Sequence, residues 1–364
     1  MDTAETTTTV PAASTGKPAS GRRTLLLVAG SGRSGTSLFS GLLQRLGFHI
    51  PQPEVPADES NPRGFAESQW VVDFHARWLK RAGVQSSDAR PAAWAQVAEV
   101  ALDESVVRQV GGWLGKQFRE ADHIVIKDPR LSWFLPLWRR SAEEAGAGLR
   151  VATVLRHPAA VVDSKQRYYG AWQGDVSRTA GWVNQMLFTE RATREMTRAF
   201  VRYEDLLDDW PRVVGGVAET LGLTAITEAP TSRLRDAHDF VDRGLSRSRT
   251  DWPEDLAMPA ALREQAESVW ELMSQLAVAD NAEVWEKLDS ARARYIDFYG
   301  EAESIAHSSV RAAGQGRQPT SQRASAKAIR LVSKSVPQRY KQRIPPQWRT
   351  RILRVLHKPG GKTR

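Results

Sequence analysis

Apolar and amphipathic stretches alternate between residues 23 and about 300, and this alternation predicts an α/β fold. Four short apolar runs have the length of buried strands, and they lie at residues 24–30, 123–127, 149–155 and 199–202. Helical patterns separate each run from the next, which is typical of parallel strands covered on both faces. We therefore expect one α/β domain over residues 23–300, with a central parallel sheet flanked by helices and right-handed crossovers.

The two ends of the chain differ in pattern from the domain between them. Residues 1–22 are rich in Thr, Ala, Ser and Pro without an apolar period, so we expect a disordered leader. Residues 301–364 are expected to form a basic, partly amphipathic helical tail. Within it, residues 347–358 place apolar side chains at i, i+4, i+7 and i+8, and residues 324–334 show a weaker form of this pattern.

Composition excludes several kinds of site. The 364 residues include no cysteine, which excludes a disulfide framework, a thiolate metal site, an iron–sulfur cluster and a cysteine nucleophile. Only 7 histidines are present and none has the spacing of metal ligands, so we expect no metal. The apolar run near the N-terminus is far shorter than the roughly 18 residues of a membrane span, and no signal-like segment precedes it. We expect a cytoplasmic protein, with peripheral membrane association through the tail as an option.

The formal net charge of +9 is unevenly distributed along the chain. Residues 311–364 contain 15 Lys and Arg and no acidic residue, whereas the first 310 residues contain 36 basic and 42 acidic residues. The acidic body argues against binding of a specific nucleic acid. The tail has the composition of a segment that binds an anionic membrane surface, an acidic partner or its own domain, and the sequence leaves these alternatives open.

A glycine-rich segment follows the first apolar run and leads into a helical pattern. It reads Gly30-Ser-Gly-Arg-Ser-Gly-Thr-Ser37. Glycines at these positions allow a tight turn in which successive backbone N–H groups and a helix N-terminus converge on an anion. The segment nearly fits the P-loop pattern, but Thr36 stands where that pattern requires lysine, and Arg33 supplies a cation instead. We therefore predict a P-loop-type phosphate site that lacks the standard lysine for ATP or GTP hydrolysis.

A second cluster of polar residues follows the third apolar run. Arg156 stands at the predicted strand end, Pro158 suits the first turn of a helix, and Ser164 lies two turns later. Arg156 offers a forked donor to a phosphate, and Ser164 adds a neutral hydroxyl. Alternatively, Arg156 pairs with Asp163 or a backbone carbonyl, and Ser164 has no ligand.

Together, the two motifs resemble the sulfotransferases that use 3′-phosphoadenosine 5′-phosphosulfate (PAPS) as co-substrate. The likeness rests on the strand, the Gly-x-x-Arg-Ser-Gly-Thr-Ser loop and the helix, followed about 120 residues later by Leu-Arg-His-Pro, with a serine eight positions after the arginine. It covers most of residues 24–250. The loop with arginine at this position resembles the loop of the carbohydrate, Golgi-type and bacterial branches of the family. The cytosolic animal enzymes carry lysine there, and their Lys-Gly-x-x-Gly-Asp-Trp segment is absent from this chain.

The resemblance implies which residues hold the co-substrate. The 5′-phosphosulfate would be held by loop residues Arg33, Ser34, Gly35, Thr36 and Ser37. Arg156 and Ser164 would bind the 3′-phosphate. Arg247, with its neighbours Arg243 and Arg249, is a candidate for further phosphate contacts on charge and position alone. The product would be adenosine 3′,5′-bisphosphate.

The candidate general base is Glu67. It ends the segment Asn61-Pro-Arg-Gly-Phe-Ala-Glu67, which resembles an Asn-Pro-x-Gly-aromatic-x-Glu segment of bacterial relatives. Partial burial near a cleft would raise the pKa of its carboxyl group toward working pH. Alternatively, Glu67 only stabilises the N-terminus of the following helix. His75 and Asp128 are competing candidates for the base.

A third motif, Lys127-Asp-Pro-Arg130, follows the second apolar run. It resembles a Lys-Asp-Pro segment of protein-tyrosine and glycan sulfotransferases, which implies that Lys127, with Arg33, stabilises charge on the transferred group. Arg130 either orients an acidic acceptor or pairs with Asp128. Trp133 is a candidate stacking surface for adenine or a sugar, and the segment 203–206 is expected to be architectural.

These observations predict an enzyme that moves the sulfuryl group of PAPS to a hydroxyl or amine by in-line attack with a carboxylate base. The sequence leaves the acceptor open among carbohydrates, glycolipids and other small metabolites. One alternative is a P-loop small-molecule kinase, which the missing lysine disfavours. The other is a non-enzymatic protein that binds anionic surfaces through its tail.

Overall fold

The computed structural model describes residues 23–169, 173–241, 251–252 and 258–315. The predicted leader and the tail after residue 315 lie outside the described residues. So do Arg243, Arg247 and Arg249, so their predicted phosphate contacts stay predictions.

A parallel four-stranded sheet forms the centre of the fold, as the apolar runs predict. Its strands are β1 (Thr24–Ala29), β2 (His123–Lys127), β3 (Gly148–Leu155) and β4 (Arg198–Arg202). Their order across the sheet is β2-β1-β3-β4, and all three pairings are parallel. In this register Val28 stands opposite both Lys127 and Ala152, so the carboxyl ends of β1, β2 and β3 reach the same edge of the sheet.

Helices connect the strands and cover both faces of the sheet. In chain order they are α1 (Thr36–Arg45), α2 (Gln69–Ala82), α3 (Ala93–Ala101), α4 (Glu104–Gln117), α5 (Leu135–Glu144), α6 (Pro158–Tyr169), α7 (Asp175–Thr193), α8 (Tyr203–Asp208), α9 (Trp210–Leu221), α10 (Thr224–Thr227), α11 (Thr231–Phe240), α12 (Ala260–Leu276) and α13 (Ala282–Gln315). A 3-10 turn, Leu131–Phe134, precedes α5. The α/β prediction is confirmed.

The continuous apolar sequence of β1 is explained by burial on both sides. Leu25 and Leu27 pack into one core with helices α2–α5, whereas Leu26 and Val28 pack into a second core with α1, α8 and α9. Successive side chains of a strand point to opposite faces, and because both faces of β1 are covered, its residues 25–29 are all apolar.

The chain divides into two units, Met1–Asp297 and Phe298–Arg364. The predicted boundary at residue 300 falls within α13. In the part of the chain that the structure describes, no helix is both long and apolar enough to cross a membrane.

Candidate active site

The loop between β1 and α1 ends in a backbone conformation that favours glycine. Gly35 precedes α1 with φ +89, and a Cβ there would lie 2.1 Å from the ring of Tyr203. Among the residues that the structure describes, no side chain caps the first turn of α1. The N–H groups of that turn therefore point into the loop, where a bound anion can satisfy them.

Arg33 connects the glycine-rich loop with the motif at the start of α6. Its backbone has a φ of 74, a left-handed conformation that is uncommon outside glycine. Its Nε donates a hydrogen bond to Ser164 Oγ at 3.0 Å, and its Nη1 donates to the carbonyl oxygen of Ser60 at 3.3 Å. The guanidinium group also lies 4.2 Å from the ring centre of Tyr168. A residue of the first motif thus contacts a residue of the second.

Arg156 ties the same two motifs together through the backbone. Its Nη1 donates to the carbonyl oxygen of Arg33 at 2.9 Å, and its guanidinium group lies 4.6 Å from the ring centre of Tyr203. Pairing with a backbone carbonyl is one of the alternatives considered from the sequence, whereas Asp163, the other, pairs with Arg167. The Tyr203 ring therefore packs against both Gly35 and Arg156. This contact gives the segment 203–206 the architectural role that the sequence predicts.

Three of the four hydroxyl side chains of the loop, those of the predicted donor-binding residues, occupy different environments. Ser34 is fully buried, and among the described residues its hydroxyl has no hydrogen-bond partner. Thr36 is also buried, at the first position of α1. Ser37 accepts a hydrogen bond from Lys127 Nζ at 3.0 Å. Because buried hydroxyls are normally hydrogen-bonded, the Ser34 side chain is a candidate for contact with a ligand.

Lys127 and Glu67 form a buried ion pair beside the loop. Lys127 Nζ lies 2.5 Å from Glu67 Oε1 and 3.1 Å from the carbonyl oxygen of Phe65. The two residues are only 3% and 6% exposed. Burial raises the pKa of the Glu67 carboxyl group, and the charge of Lys127 opposes this without cancelling it. The structure therefore brings the candidate base and the candidate cation together.

His75 and Asp128, the competing candidates for the base, hold each other inside the core. His75 is fully buried, its Nε2 accepts the indole N–H of Trp138 at 3.0 Å, and its Nδ1 lies 3.3 Å from Asp128 Oδ1. Burial lowers the pKa of His75. Burial also disfavours the charged form of Asp128, but the contacts with His75 and Arg130 outweigh it and lower the pKa of Asp128. Neither side chain has an open face toward a ligand.

Arg130 and Trp133 have structural partners. Arg130 Nη1 lies 2.7 Å from Asp128 Oδ2, which is the pairing that the sequence offered as one of two alternatives. Trp133 is 1% exposed, and its indole N–H donates to the carbonyl oxygen of Ser86 at 3.1 Å. A ring this buried cannot serve as a stacking surface for a base or a sugar.

Sequence reasoning missed Lys165, which directly follows Ser164. Its side chain is buried, and its Nζ donates to Ser31 Oγ at 3.1 Å and to Ser87 Oγ at 3.2 Å. The sequence shows an ordinary lysine in a helix. The residue becomes notable only because the fold places its ammonium group beside the glycine-rich loop.

Residues 26–228 match the family described as "Sulfotransferase family". The chain belongs to the sulfotransferase family. The general chemistry of this sulfotransferase is therefore sulfuryl transfer, while its donor and acceptor have to be argued from the site. A comparison with curated protein sequences finds no match.

Solved structures similar to this sulfotransferase include three further sulfotransferases. The sulfotransferase domain of the olefin synthase of Synechococcus PCC 7002 is 18% identical, with a TM-score of 0.42, over 70% of this chain and 97% of that one. The sulfotransferase domain from the curacin biosynthetic pathway is 16% identical, with a TM-score of 0.40, over 69% of this chain and 98% of that one. Sulfotransferase STF1 from Mycobacterium tuberculosis H37Rv is 16% identical, with a TM-score of 0.32, over 61% of this chain and 77% of that one.

Proposed function

We propose that this sulfotransferase uses PAPS as donor and transfers its sulfuryl group to a hydroxyl or amine of an acceptor. The observation that carries the proposal is the hydrogen bond from Arg33 to Ser164, two residues 131 positions apart in the chain. It joins the loop assigned to the 5′-phosphosulfate and the helix assigned to the 3′-phosphate in one site. A donor with anionic groups at both ends fits that arrangement.

The residues of the loop fit the 5′ end of such a donor. The buried hydroxyl of Ser34 lacks a partner, and the uncapped first turn of α1 offers N–H groups to an anion. Arg33 adds a positive charge in the same loop. Thr36 and Ser37 would supply further hydroxyl contacts, and Gly35 lets the backbone turn without a side chain in the way.

The 3′ end of the donor would be held by Arg156 and Ser164. Arg156 is anchored through one nitrogen to the Arg33 carbonyl oxygen and over the Tyr203 ring, so its position is set before a ligand arrives. Ser164 now accepts a hydrogen bond from Arg33 Nε. The Ser164 hydroxyl would donate a hydrogen bond to the phosphate, either while it still accepts from Arg33 or after that contact is broken.

Glu67 would act as the general base and Lys127 as the cation at the reacting centre. The acceptor oxygen or nitrogen forms a bond to sulfur while the bond between sulfur and the 5′-phosphate oxygen breaks, and the acceptor proton passes to Glu67. Lys127 and Arg33 would stabilise the negative charge that develops on the sulfuryl and leaving oxygens. The three N–H donors of Lys127 are taken by Ser37, Phe65 and Glu67, so one contact must be exchanged when Lys127 binds the sulfuryl group.

The acceptor, the location in the cell and the role of the tail stay predictions. Carbohydrates, glycolipids and other small metabolites remain the candidate acceptors. Cytoplasmic location and binding of an anionic surface through the basic tail, residues 301–364, rest on the sequence alone.

A thermal-shift comparison of two nucleotides tests the proposed donor. Adenosine 3′,5′-bisphosphate should raise the thermal midpoint, because a ligand that binds only the folded state stabilises it. ATP with Mg²⁺ should have a smaller effect. Stabilisation by ATP with Mg²⁺ alone would favour the kinase alternative, and stabilisation by neither would contradict nucleotide binding at this site.

A further inference from the structure

Lys165 lies beside the glycine-rich loop as a buried cation without a bound carboxylate. The residue is 7% exposed, and its Nζ donates to two neutral hydroxyl groups, those of Ser31 and Ser87. Ser31 belongs to the loop itself, and Ser87 to the connection between α2 and α3. Among the described residues no carboxylate pairs with Lys165. Buried charges are normally paired, so this lysine is an exception that calls for an explanation.

The charged groups around Lys165 do not compensate it. Arg178, on α7, is the charged residue that acts on it, and Arg178 is itself paired with Asp175 at 2.9 Å. Asp88 follows Ser87 in the chain, but its carboxylate pairs with Arg90 at 2.7 Å. Burial, assisted by the charge of Arg178, lowers the pKa of Lys165 to about 8. Near neutral pH the side chain is therefore charged and lacks an anionic partner.

The placement of Lys165 selects the 5′ end of the donor as the missing anion. Its hydroxyl partner Ser31 is part of the loop assigned to the 5′-phosphosulfate, whereas the neighbouring Ser164 is assigned to the 3′-phosphate. A lysine ammonium group has three N–H donors, and two of these are used by the serine hydroxyls. One N–H group and the whole charge remain available to an oxyanion in the loop.

We propose that Lys165 is a further donor-binding residue, whose ammonium group binds an oxygen of the 5′-phosphosulfate when PAPS enters the loop. The proposal rests on the proposed function and adds a cation to the residues that the motifs assign. Binding of the anion offsets the unfavourable burial of the charge. Without its donor the protein should thus be less stable than it would be with an apolar residue at position 165, and the difference is recovered when the donor binds.

Calorimetric titration of Lys165→Met with PAPS and with adenosine 3′,5′-bisphosphate tests the proposal. The variant should lose about 10- to 150-fold in affinity for PAPS, the usual effect of removing a charge-assisted hydrogen bond. A loss confined to PAPS assigns the contact to the sulfuryl group, and an equal loss for both nucleotides assigns it to the 5′-phosphate. The thermal midpoint of the empty variant should equal or exceed that of the wild type, because an uncompensated buried charge is removed.

Ser87→Ala is the matched control for a purely structural role. It removes one partner of Lys165 and keeps the charge, so donor affinity should stay near the wild-type value. If Lys165 only tied the loop to the segment around Ser87, both variants would lower the thermal midpoint and affect donor affinity alike. That result would overturn the proposal.

Proton uptake by the wild-type protein provides a test that needs no variant. With a pKa near 8, about half of the Lys165 side chains are neutral at pH 8, and anion binding should cause them to take up protons. The nucleotide phosphates are already ionised there, since their second pKa is near 6. Titrations in two buffers of different ionisation enthalpy should therefore show uptake at pH 8. Uptake supports the inference, unchanged affinity in Lys165→Met overturns this inference alone, and a wild type that binds neither nucleotide overturns the proposed function.

Discussion

At the scale of single residues, the contact between Glu67 and Lys127 combines two opposite requirements. A general base must be deprotonated to act, yet basic enough to accept a proton in the transition state. Burial raises the pKa of Glu67, which increases its basicity, while the adjacent ammonium group favours the carboxylate form. The pair therefore combines a carboxylate of raised pKa with a neighbouring positive charge that favours its ionised form.

Glu67→Gln should lower kcat by about 10²- to 10⁴-fold, the usual effect of removing a general base. The affinity for adenosine 3′,5′-bisphosphate should be retained, because the assigned donor residues are untouched. In the wild type, kcat/KM should fall with decreasing pH through a pKa above 4.5, the ordinary value for this group. Steady-state kinetics and nucleotide titration check both statements. A variant with wild-type kcat would leave Glu67 only the role of holding Lys127.

His75 gives the stability of the fold a pH dependence. Burial lowers its pKa below the ordinary 6.5, so below that pH the unfolded chain binds more protons than the folded one. The free energy of unfolding, measured in urea, should therefore decrease as the pH falls from about 6.5. His75→Gln should flatten this slope, and replacement of the exposed His307 by Gln should leave it unchanged. Equal slopes in the wild type and His75→Gln would contradict this account.

At the scale of elements, the site depends on how the β1–α1 loop packs against the start of α8. The loop turns at Gly35 in a left-handed conformation, and the Tyr203 ring fills the space where a side chain would stand. The same ring lies under Arg156. The first residue of α8 therefore fixes the positions of both phosphate motifs.

Gly35→Ala should destabilise the fold and abolish measurable donor binding. Its Cβ would lie 2.1 Å from Tyr203, at a φ of +89 that a side chain rarely adopts. Gly112→Ala is the matched control, because Gly112 lies within α4 and a Cβ there meets nothing within 4 Å. That control should keep binding and gain up to about 1 kcal/mol from helix propensity. Thermal unfolding and nucleotide titration of both variants check this, and normal binding by Gly35→Ala would contradict the packing described.

At the scale of the whole molecule, the sequence determines the fold more clearly than the site. Apolar runs such as 24–30 mark the strands because both faces of the sheet are covered, and the structure confirms all four. The glycine-rich loop is likewise visible in sequence, since its residues are contiguous.

Other features depend on contacts between distant segments and leave no local signal. The pairing of His75 with Asp128, and the contact of Lys165 with Ser31, arise only when helices and strands pack together. For Trp133, the local sequence carries a signal that the packing of distant segments overrides. Its position after a strand suggested an open stacking surface, but packing buries it completely within the core.

The most direct test of the central claim is the ratio of two dissociation constants measured by calorimetry on the wild-type protein. The ligands are adenosine 3′,5′-bisphosphate and AMP, which share the 5′-phosphate and differ by the 3′-phosphate. Charge-assisted hydrogen bonds from Arg156 should make the bisphosphate bind about 10- to 150-fold more tightly, and Arg156→Ala should reduce that ratio toward one. Equal affinities for the two nucleotides in the wild type would contradict a site built for PAPS.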